Sequence, residues 1–274
     1  MAEAHQAGTG AGGLFYVTHL EKVEMTGRRR FMAISPEAEA DIAKQAYQAV
    51  MQEYGNSMLP ASDPRTKLVM RVMKRIIAVS GMTDLNWEVH VIESPEKNAF
   101  VSPGGKVFVF TGILPIAKNE DGLAVVLGHE TAHQIARHTA EKLSLGVIIS
   151  ALRFAVFFAG LDIGPLTNSF FQFLMDLPNS RKCESEADHI GLLLTAQACF
   201  NPQEAIPLWQ RMEAAEAVGV PQFLSTHPTP KNRIQQMQEW MHEAEEKRAN
   251  SNCTQQLGGW ADQFRKTQRY ARGF

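Results

Sequence analysis

The sequence lacks a charge excess of one sign, enough cysteines for a disulfide framework, and a long uninterrupted hydrophobic run. Its 27 Lys+Arg residues nearly balance 29 Asp+Glu residues, whereas nucleic-acid-binding domains normally carry a basic face. Three cysteines in 274 residues cannot form the framework of a small secreted domain. A content of 45% hydrophobic and 20% charged residues argues against disorder. What is left is a globular enzyme or scaffold with a sizeable core.

A nucleotide-binding loop is also missing. Gly8, Gly10 and Gly13 form a G-x-G-x-x-G pattern, but this fingerprint requires a preceding strand, and only a polar leader precedes it. No Walker-type loop occurs in the sequence, so we expect no nucleotide and an activity that does not use ATP. Residues 1–13 have neither the basic start nor the apolar stretch of a signal peptide, and they predict a flexible leader.

The most apolar region extends from Leu143 to Met175. Arg153, Asp162 and three helix-breaking residues divide it into pieces shorter than the roughly 18–20 residues that span a bilayer. Two interpretations stay open: a pair of buried or groove-lining helices, or an amphipathic or re-entrant element that rests on a membrane.

Helical patterns outnumber strand patterns along the chain. Ser35–Pro36 and Asp63–Pro64 are N-cap signals for helices that end near Gly55 and Gly81. Further helical patterns cover residues 121–143, 181–199, a segment after Asn201–Pro202, and a segment from Thr229–Pro230 to about Lys247.

Strand patterns are short and lie mostly between residues 87 and 111. Trp87–Val91, Asn98–Ser102 and Lys106–Thr111 have strand-like composition, and Pro103–Gly105 is a hairpin turn signal. Residues 14–34 predict one short strand that ends in a solvated basic turn at Arg28–Arg30. The sequence therefore predicts an α+β, mainly helical fold with one small sheet.

The residues that carry chemistry are His129-Glu130-Thr131-Ala132-His133. Two histidines four positions apart lie about 40° apart on one helix face and within one turn, so both can bind one metal ion. A glutamate directly after the first histidine is placed to act as general base on zinc-activated water. Gly128 and the apolar residues before it would hold this helix in the core.

Nearby residues do not supply a third ligand. A metzincin would have glycine and histidine where Ala136 and Thr139 stand. On a continuous helix, His138 would be rotated about 140° from the ligand face, and Glu141 would lie about 12 Å along the axis. The third ligand must therefore come from another segment.

The following predicted helix offers suitable carboxylates. Glu184 and Asp188 are four residues apart on one face, so one can bind zinc while the other accepts a hydrogen bond from a ligand histidine. Glu186 points to another side of this helix, and we expect it to be structural or solvated.

These motifs resemble the gluzincin peptidases of the HtpX and CAAX prenyl-protease type, and most closely the Oma-type branch of the mitochondrial inner membrane. That branch is known for activity overlapping the AAA protease there. The resemblance covers roughly residues 15–245 and rests on the following segments: NAFVSPGGKVFVFTGIL at 98–114, NEDGLAVVLGHE at 119–130, and EADHIGLLL at 186–194.

The resemblance implies a zincin-like domain with its sheet beside the active-site helix, and one zinc ion per chain. It implies that the metal ligands are His129, His133 and Glu184, with Glu130 as catalytic base and Asp188 as the carboxylate behind a ligand. It further implies that Asn98, Ala99, Phe100 and Val101 form a strand that holds extended substrate by backbone pairing. In the Thr226-His227-Pro228 segment, His227 would steady the oxyanion, with Arg233 among the substrate-binding residues.

The resemblance also implies location and partners. Members of this branch usually carry a presequence and a transmembrane segment, and neither is visible before residue 14. We therefore expect membrane contact through residues 143–175 or through an anchor missing from this chain. The expected domains are a leader with a short strand at 1–30, the peptidase domain at 31–247, and a polar tail at 248–274.

The function implied is a zinc-dependent, ATP-independent endopeptidase that cleaves membrane-associated or misfolded proteins in inner-membrane quality control, with a homo-oligomer as a possible assembly. The alternatives are a bacterial-type periplasmic protease or chaperone of the same family, or a zinc protein that only binds. A prenyl-protein processing enzyme would need several membrane spans.

The three cysteines allow limited pairing. Cys183 and Cys199 are 16 residues apart on one predicted helix, about 24 Å if it is continuous, and cannot pair with each other. Cys253 reaches either of them only if the tail folds back. A redox influence on the zinc site is a hypothesis from the position of Cys183 beside Glu184.

Overall fold

The computed structural model of the chain describes residues 13–158, 178–217, 223, 227 and 232–253. Helices predominate among these residues, and two small sheets accompany them. The predicted α+β, mainly helical class is confirmed. A two-stranded hairpin is present in addition to the predicted sheet. Most of the Gly8–Gly13 pattern lies outside the described residues.

The N-terminal hairpin pairs β1 (Leu20–Lys22) with β2 (Arg29–Phe31) in antiparallel register. The prediction of a solvated basic turn at 28–30 is wrong. Arg30 is only 6% exposed, and Arg28 forms ion pairs with Glu141 and Glu186. Local composition shows a basic run, but Arg28 is paired with carboxylates more than 100 residues away, and Arg30 is paired with Glu21 on the neighbouring strand.

Two capped helices follow the hairpin, as predicted. α1 (Pro36–Tyr54) begins where the Ser35 side chain accepts a hydrogen bond from the backbone N–H of Ala38. α2 (Pro64–Val79) begins where the Asp63 carboxylate accepts one from the N–H of Arg65. Each cap is followed by proline at the first helical position, where the missing N–H has no helical partner to lose.

The larger sheet has the order β3-β5-β4, made of β3 (Glu88–Ile92), β4 (Ala99–Ser102) and β5 (Lys106–Phe110). β3 is parallel to β5, and β4 and β5 form the predicted hairpin. Gly104 and Gly105 adopt φ of 85° and 83° in its turn, a conformation that glycine adopts readily. β4 therefore lies at an edge of the sheet and packs against the next long helix.

After the short α3 (Leu114–Ala117) comes α4 (Glu120–Ile135), whose cap Asn119 accepts a hydrogen bond from Gly122 N–H. The prediction of one helix over 121–143 is wrong, because α4 ends before Ala136 and α5 (His138–Phe158) begins after Arg137. Arg137 has φ of 49°, a left-handed conformation that interrupts a right-handed helix. Its guanidinium is held by Glu39 at 2.8 Å.

The apolar region predicted at 143–175 coincides with α5 as far as Phe158, and residues 159–177 lie outside the described residues. Among the described residues, no helix has the length and hydropathy needed to cross a bilayer.

The C-terminal half consists of α6 (Pro178–Gln197), α7 (Ala205–Ala217) and α8 (Arg233–Ala249). α6 crosses α4 at two glycines. A Cβ on Gly191 would lie 2.7 Å from the backbone nitrogen of His129, and a Cβ on Gly128 would lie 2.8 Å from the Gly191 carbonyl oxygen. Only glycines allow this approach, which brings the two helices of the predicted metal site together.

A disulfide joins Cys199, just after α6, to Cys253, just after α8. The described part of the tail therefore does fold back, and Cys183 is the free, buried cysteine of the described residues. The predicted cap at Thr229–Pro230 and the tail beyond residue 253 lie outside the described residues. The domain boundaries at 30 and 247 stay a prediction.

Candidate metal centre

Four buried side chains direct donor atoms at one point between α4 and α6. They are His129, His133, Glu184 and His227. The Nε2 atoms of His129 and His133 are 3.1 Å apart, and Glu184 oxygens lie 3.3 and 3.5 Å from them. His227 Nδ1 lies 3.4 Å from His129 Nε2 and 3.2 Å from Glu184 Oε2.

This spacing fits a tetrahedral metal ion. Ligand atoms at 2.0–2.1 Å from zinc in tetrahedral geometry are separated from each other by about 3.3 Å. The separations given above, 3.1–3.5 Å, bracket that value. Imidazole nitrogens and a carboxylate are also the donor types that a divalent transition metal prefers.

The carboxylate predicted behind a ligand is in place. Asp188 Oδ1 lies 2.9 Å from His129 Nδ1, the ring nitrogen that faces away from the other donors. This contact orients the ring and leaves Nε2 to face the metal position. Sequence spacing alone left Glu184 and Asp188 interchangeable, and the geometry assigns Glu184 to the donor set and Asp188 to the outer position.

The protonation of the donors reflects burial and mutual contact. Burial opposes a charge on His129, but Asp188 and Glu184 outweigh it and raise its pKa to about 9. Burial lowers the pKa of His133 well below the ordinary value, so its imidazole is neutral. For Glu184, burial is outweighed by contacts with the three histidines, which hold its pKa well below the usual range. A binding cation would displace the proton of His129.

Glu130 is buried beside the donor set without belonging to it. Burial raises the pKa of its carboxyl group, which makes the carboxylate a stronger base. Its Oε1 has no hydrogen-bond partner among the described residues, and His227 Nε2 lies 3.5 Å from it. An unpaired oxygen in this place is suited to accept a proton from a bound water.

Arg233 does not reach a surface where substrate could contact it. Its side chain is 1% exposed, and its Nε donates to Asp188 Oδ2 at 2.6 Å. Its Nη2 lies 3.5 Å from Glu184 Oε2, and the guanidinium carbon is 3.7 Å from the centre of the Trp209 ring. Packing therefore encloses this cation among the carboxylates of the site, and the substrate-binding role stays a prediction.

The edge strand β4 packs against α4, the helix that carries His129 and His133. Phe110 N–H donates to the Asn98 carbonyl oxygen at 3.0 Å, and alternate residues of an antiparallel pair share such bonds. The backbone N–H and C=O groups of Asn98 and Phe100 therefore face β5. Those of Ala99 and Val101 point away from β5, toward the outer edge of the sheet. Of the expected substrate-binding residues, only Ala99 has outward-facing backbone groups.

Two aromatic residues at the site were not predicted. Phe223 stacks on His227 with ring centres 4.6 Å apart, and its N–H donates to the Lys97 carbonyl oxygen at 3.3 Å. Trp209 contacts the His129 ring edge-to-face at 5.6 Å. Neither lies in a motif, since their roles come from contacts with segments far away in sequence.

The comparison with known proteins defines the class first. Residues 63–241, about two thirds of the chain, match the sequence model of peptidase family M48. The chain therefore belongs to this peptidase family. It is a metal-dependent endopeptidase, as the motif and the resemblance predicted.

Individual relatives point to one branch of the family. The mitochondrial metalloendopeptidase OMA1 of Schizosaccharomyces pombe is 55% identical over 245 residues, covering 88% of this chain and 72% of the relative. Its namesake in Saccharomyces cerevisiae is 38% identical over 272 residues, covering 93% and 78%. The human metalloendopeptidase OMA1 is 35% identical and is covered over 49% of its length.

These relatives confirm the predicted similarity to the Oma-type branch and the mitochondrial location, and they favour the mitochondrial interpretation over the bacterial alternative. They also confirm polypeptides as the class of substrate and a metal as the cofactor.

Proposed function

We propose that the metal is zinc and that His129, His133 and Glu184 hold it for peptide-bond hydrolysis. The observation that carries this proposal is the spacing of the donors, which fits a tetrahedral ion. When bound, zinc supplies a Lewis acid that polarises water and the substrate carbonyl group.

Glu130 acts as the general base in this proposal. Its unpaired, buried oxygen accepts the proton of the attacking water, and the same carboxyl group then returns the proton to the leaving amine. Burial raises the pKa of Glu130, which makes its carboxylate a stronger base for the first transfer.

His227 serves as the oxyanion-stabilising residue in this proposal. Its position in the structure means that it must move before it can take this role. With Nδ1 among the donors, the set is closed by four protein atoms, which is the arrangement of structural sites, whereas catalytic sites keep one position open. The imidazole must therefore withdraw from the donor set before substrate binds. In this structure its Nε2 lies 3.5 Å from Glu130 Oε1, on the side where an oxyanion would form in this proposal.

Substrate binds as an extended strand along β4. The outward N–H and C=O groups of Ala99 and Val101 can form alternate hydrogen bonds with such a chain, beside the metal site on α4. A series of peptides, each with one N-methylated amide, tests this mode. Cleavage should be lost at alternate positions only, and an equal loss at every position would contradict it.

The natural substrates we propose are membrane-associated or misfolded proteins at the mitochondrial inner membrane, cleaved without ATP as part of quality control. The similarity to mitochondrial metalloendopeptidases supports the location. A homo-oligomer is part of this proposal. The preference for unfolded substrates can be tested by incubating the chain with the intact and the heat-unfolded form of one protein, with and without ATP. We expect the unfolded form to be cleaved faster, both with ATP and without it.

The decisive experiment separates metal binding from catalysis. Glu130→Gln should keep one zinc per chain by elemental analysis and lose cleavage of unfolded casein, whereas Glu184→Gln should lose both. Cleavage that survives Glu130→Gln would contradict the mechanism. An active-site-intact chain that binds unfolded casein but does not cleave it would favour the binding-only alternative.

A further inference from the structure

A second buried polar cluster lies directly behind His133, on the side opposite the donor set. It is formed by residues of the N-terminal hairpin, of α5 and of α6: Arg28, His138, Glu141, Cys183 and Glu186. The side chains of His138 and Glu186 are 1% and 4% exposed, so water does not satisfy them. The hydrolytic mechanism makes no use of these residues.

His138 lies between a metal ligand and a carboxylate. Its Nδ1 is 2.8 Å from His133 Nδ1, and its Nε2 is 2.9 Å from Glu186 Oε2. Glu186 in turn accepts a hydrogen bond from Arg28 Nε at 2.9 Å, and this contact keeps the carboxylate ionised.

These contacts allow one arrangement of protons when His138 is neutral. An ionised carboxylate only accepts hydrogen bonds, so His138 must carry its proton on Nε2. Its Nδ1 is then an acceptor, and the facing nitrogen of His133 must be the donor. With Nδ1 of His133 protonated, the lone pair of His133 lies on Nε2, the atom that faces His129 and Glu184.

We propose that His138 is a positioning residue that fixes the tautomer and the ring orientation of His133 for metal binding, with Glu186 and Arg28 holding His138 in place. This inference rests on the proposed metal site. The interruption of the helix at Arg137 is what makes the contact possible, because on a continuous helix His138 would point away from His133.

The cluster is not a second metal site. His138, Glu141 and Cys183 have donor atoms within 4.8 Å of one another, which is the spacing that such a site needs. However, Arg28 donates to both oxygens of Glu141, at 2.8 and 2.6 Å, and so already provides the cation that the carboxylate requires.

The test compares three substitutions by zinc affinity, measured in competition with a chromogenic chelator, and by the d–d absorption of the cobalt-substituted protein. His138→Leu keeps volume but removes the acceptor, and should weaken zinc binding about 10–100-fold and alter the cobalt spectrum. His138→Asn retains an acceptor oxygen near the former Nδ1 and should restore most of the affinity. His90→Leu is the matched control, since His90 also faces a glutamate, 3.4 Å away on β3.

Unchanged affinity and cobalt spectrum in His138→Leu would overturn the proposal, as would a loss in His138→Asn equal to that in His138→Leu. If neither variant folds, ¹⁵N imidazole shifts of the zinc-loaded wild-type chain decide. They should show Nδ1–H and metal-bound Nε2 in His133, and the reverse tautomer would overturn the proposal. A wild-type chain that binds no zinc would instead refute the proposed function.

Discussion

The guanidinium of Arg233 contacts two carboxylates of the site, those of Asp188 and Glu184. It pairs with Asp188, lies near Glu184, and is covered by the Trp209 ring. Removal of one member of a buried charge network leaves the partners uncompensated, which costs more than the loss of an exposed pair. From these contacts we predict that Arg233 supports the ligands through Asp188 rather than acting on the substrate.

Arg233→Met should lower the free energy of unfolding by about 3–5 kcal/mol and weaken metal binding, because Asp188 would lose its buried cation. For the variant molecules that still bind metal, the KM of a short peptide substrate should equal the KM of the wild-type protein. Chemical denaturation and peptide kinetics measure both quantities. Arg71→Met removes an exposed ion pair with Glu120 and should cost about 1 kcal/mol or less. A raised KM in Arg233→Met would return Arg233 to the substrate-binding residues.

Metal removal tests whether the stabilising metal is bound through Glu184. A strong chelator should lower the Tm of the wild-type chain, because zinc bound only to the folded state stabilises it by about 2.7 kcal/mol at 100 times its Kd. The Tm of Glu184→Gln should not respond to the chelator. An equal response of both proteins would show that the stabilising metal lies elsewhere.

At the scale of elements, the crossing of α4 and α6 determines whether a site forms. The sequence predicts a helix at each of these two places, but the ligands converge only because Gly128 and Gly191 allow the backbones to touch. A side chain at either position would separate the helix that carries the histidines from the helix that carries Glu184.

Gly191→Ala should therefore reduce both stability and metal affinity, since its Cβ would lie 2.7 Å from the backbone of His129. Overpacking of this kind costs about 1–3 kcal/mol. Gly55→Ala is the control, because its Cβ would meet nothing within 4 Å and its φ is −54°. Thermal unfolding and zinc titration of both variants measure the effect, and similar behaviour of the two would refute a role for the crossing.

At the scale of the whole molecule, a disulfide joins the segments that follow α6 and α8. Cys199 and Cys253 are 54 residues apart, and the enclosed chain includes α7, α8, His227 and Arg233. A closed loop of that length restricts the unfolded chain and stabilises the folded one by up to about 4 kcal/mol.

Cys253→Ser should lower the free energy of unfolding by up to that amount, measured by urea denaturation under non-reducing conditions. A reductant should lower the stability of the wild-type chain to the level of the variant and leave the variant unchanged. A variant that stays as sensitive to reductant as the wild type would show that this bond is not the stabilising one.

How much was predictable depends on the distance in sequence between the interacting residues. The caps at Ser35 and Asp63, the hairpin at Gly104–Gly105 and the pairing of His129 with His133 follow from neighbours within five positions. The ion pairs of Arg28, the hydrogen bonding of His138 and the break between α4 and α5 at Arg137 did not follow, because their partners lie far away in sequence.

The sequence by itself determined the chemical groups of the site and the class of protein: two histidines and a glutamate on one helix, a carboxylate pair on another, and the resemblance to a peptidase branch. Helical spacing alone is sufficient for that, since four residues make about one turn. Spacing left Glu184 and Asp188 interchangeable, and the tertiary structure separated them, with Glu184 among the donors and Asp188 against His129. Only the tertiary structure decided that Arg233 is buried and that His227 joins the donor set. Those choices depend on how separate segments pack, which no local spacing specifies.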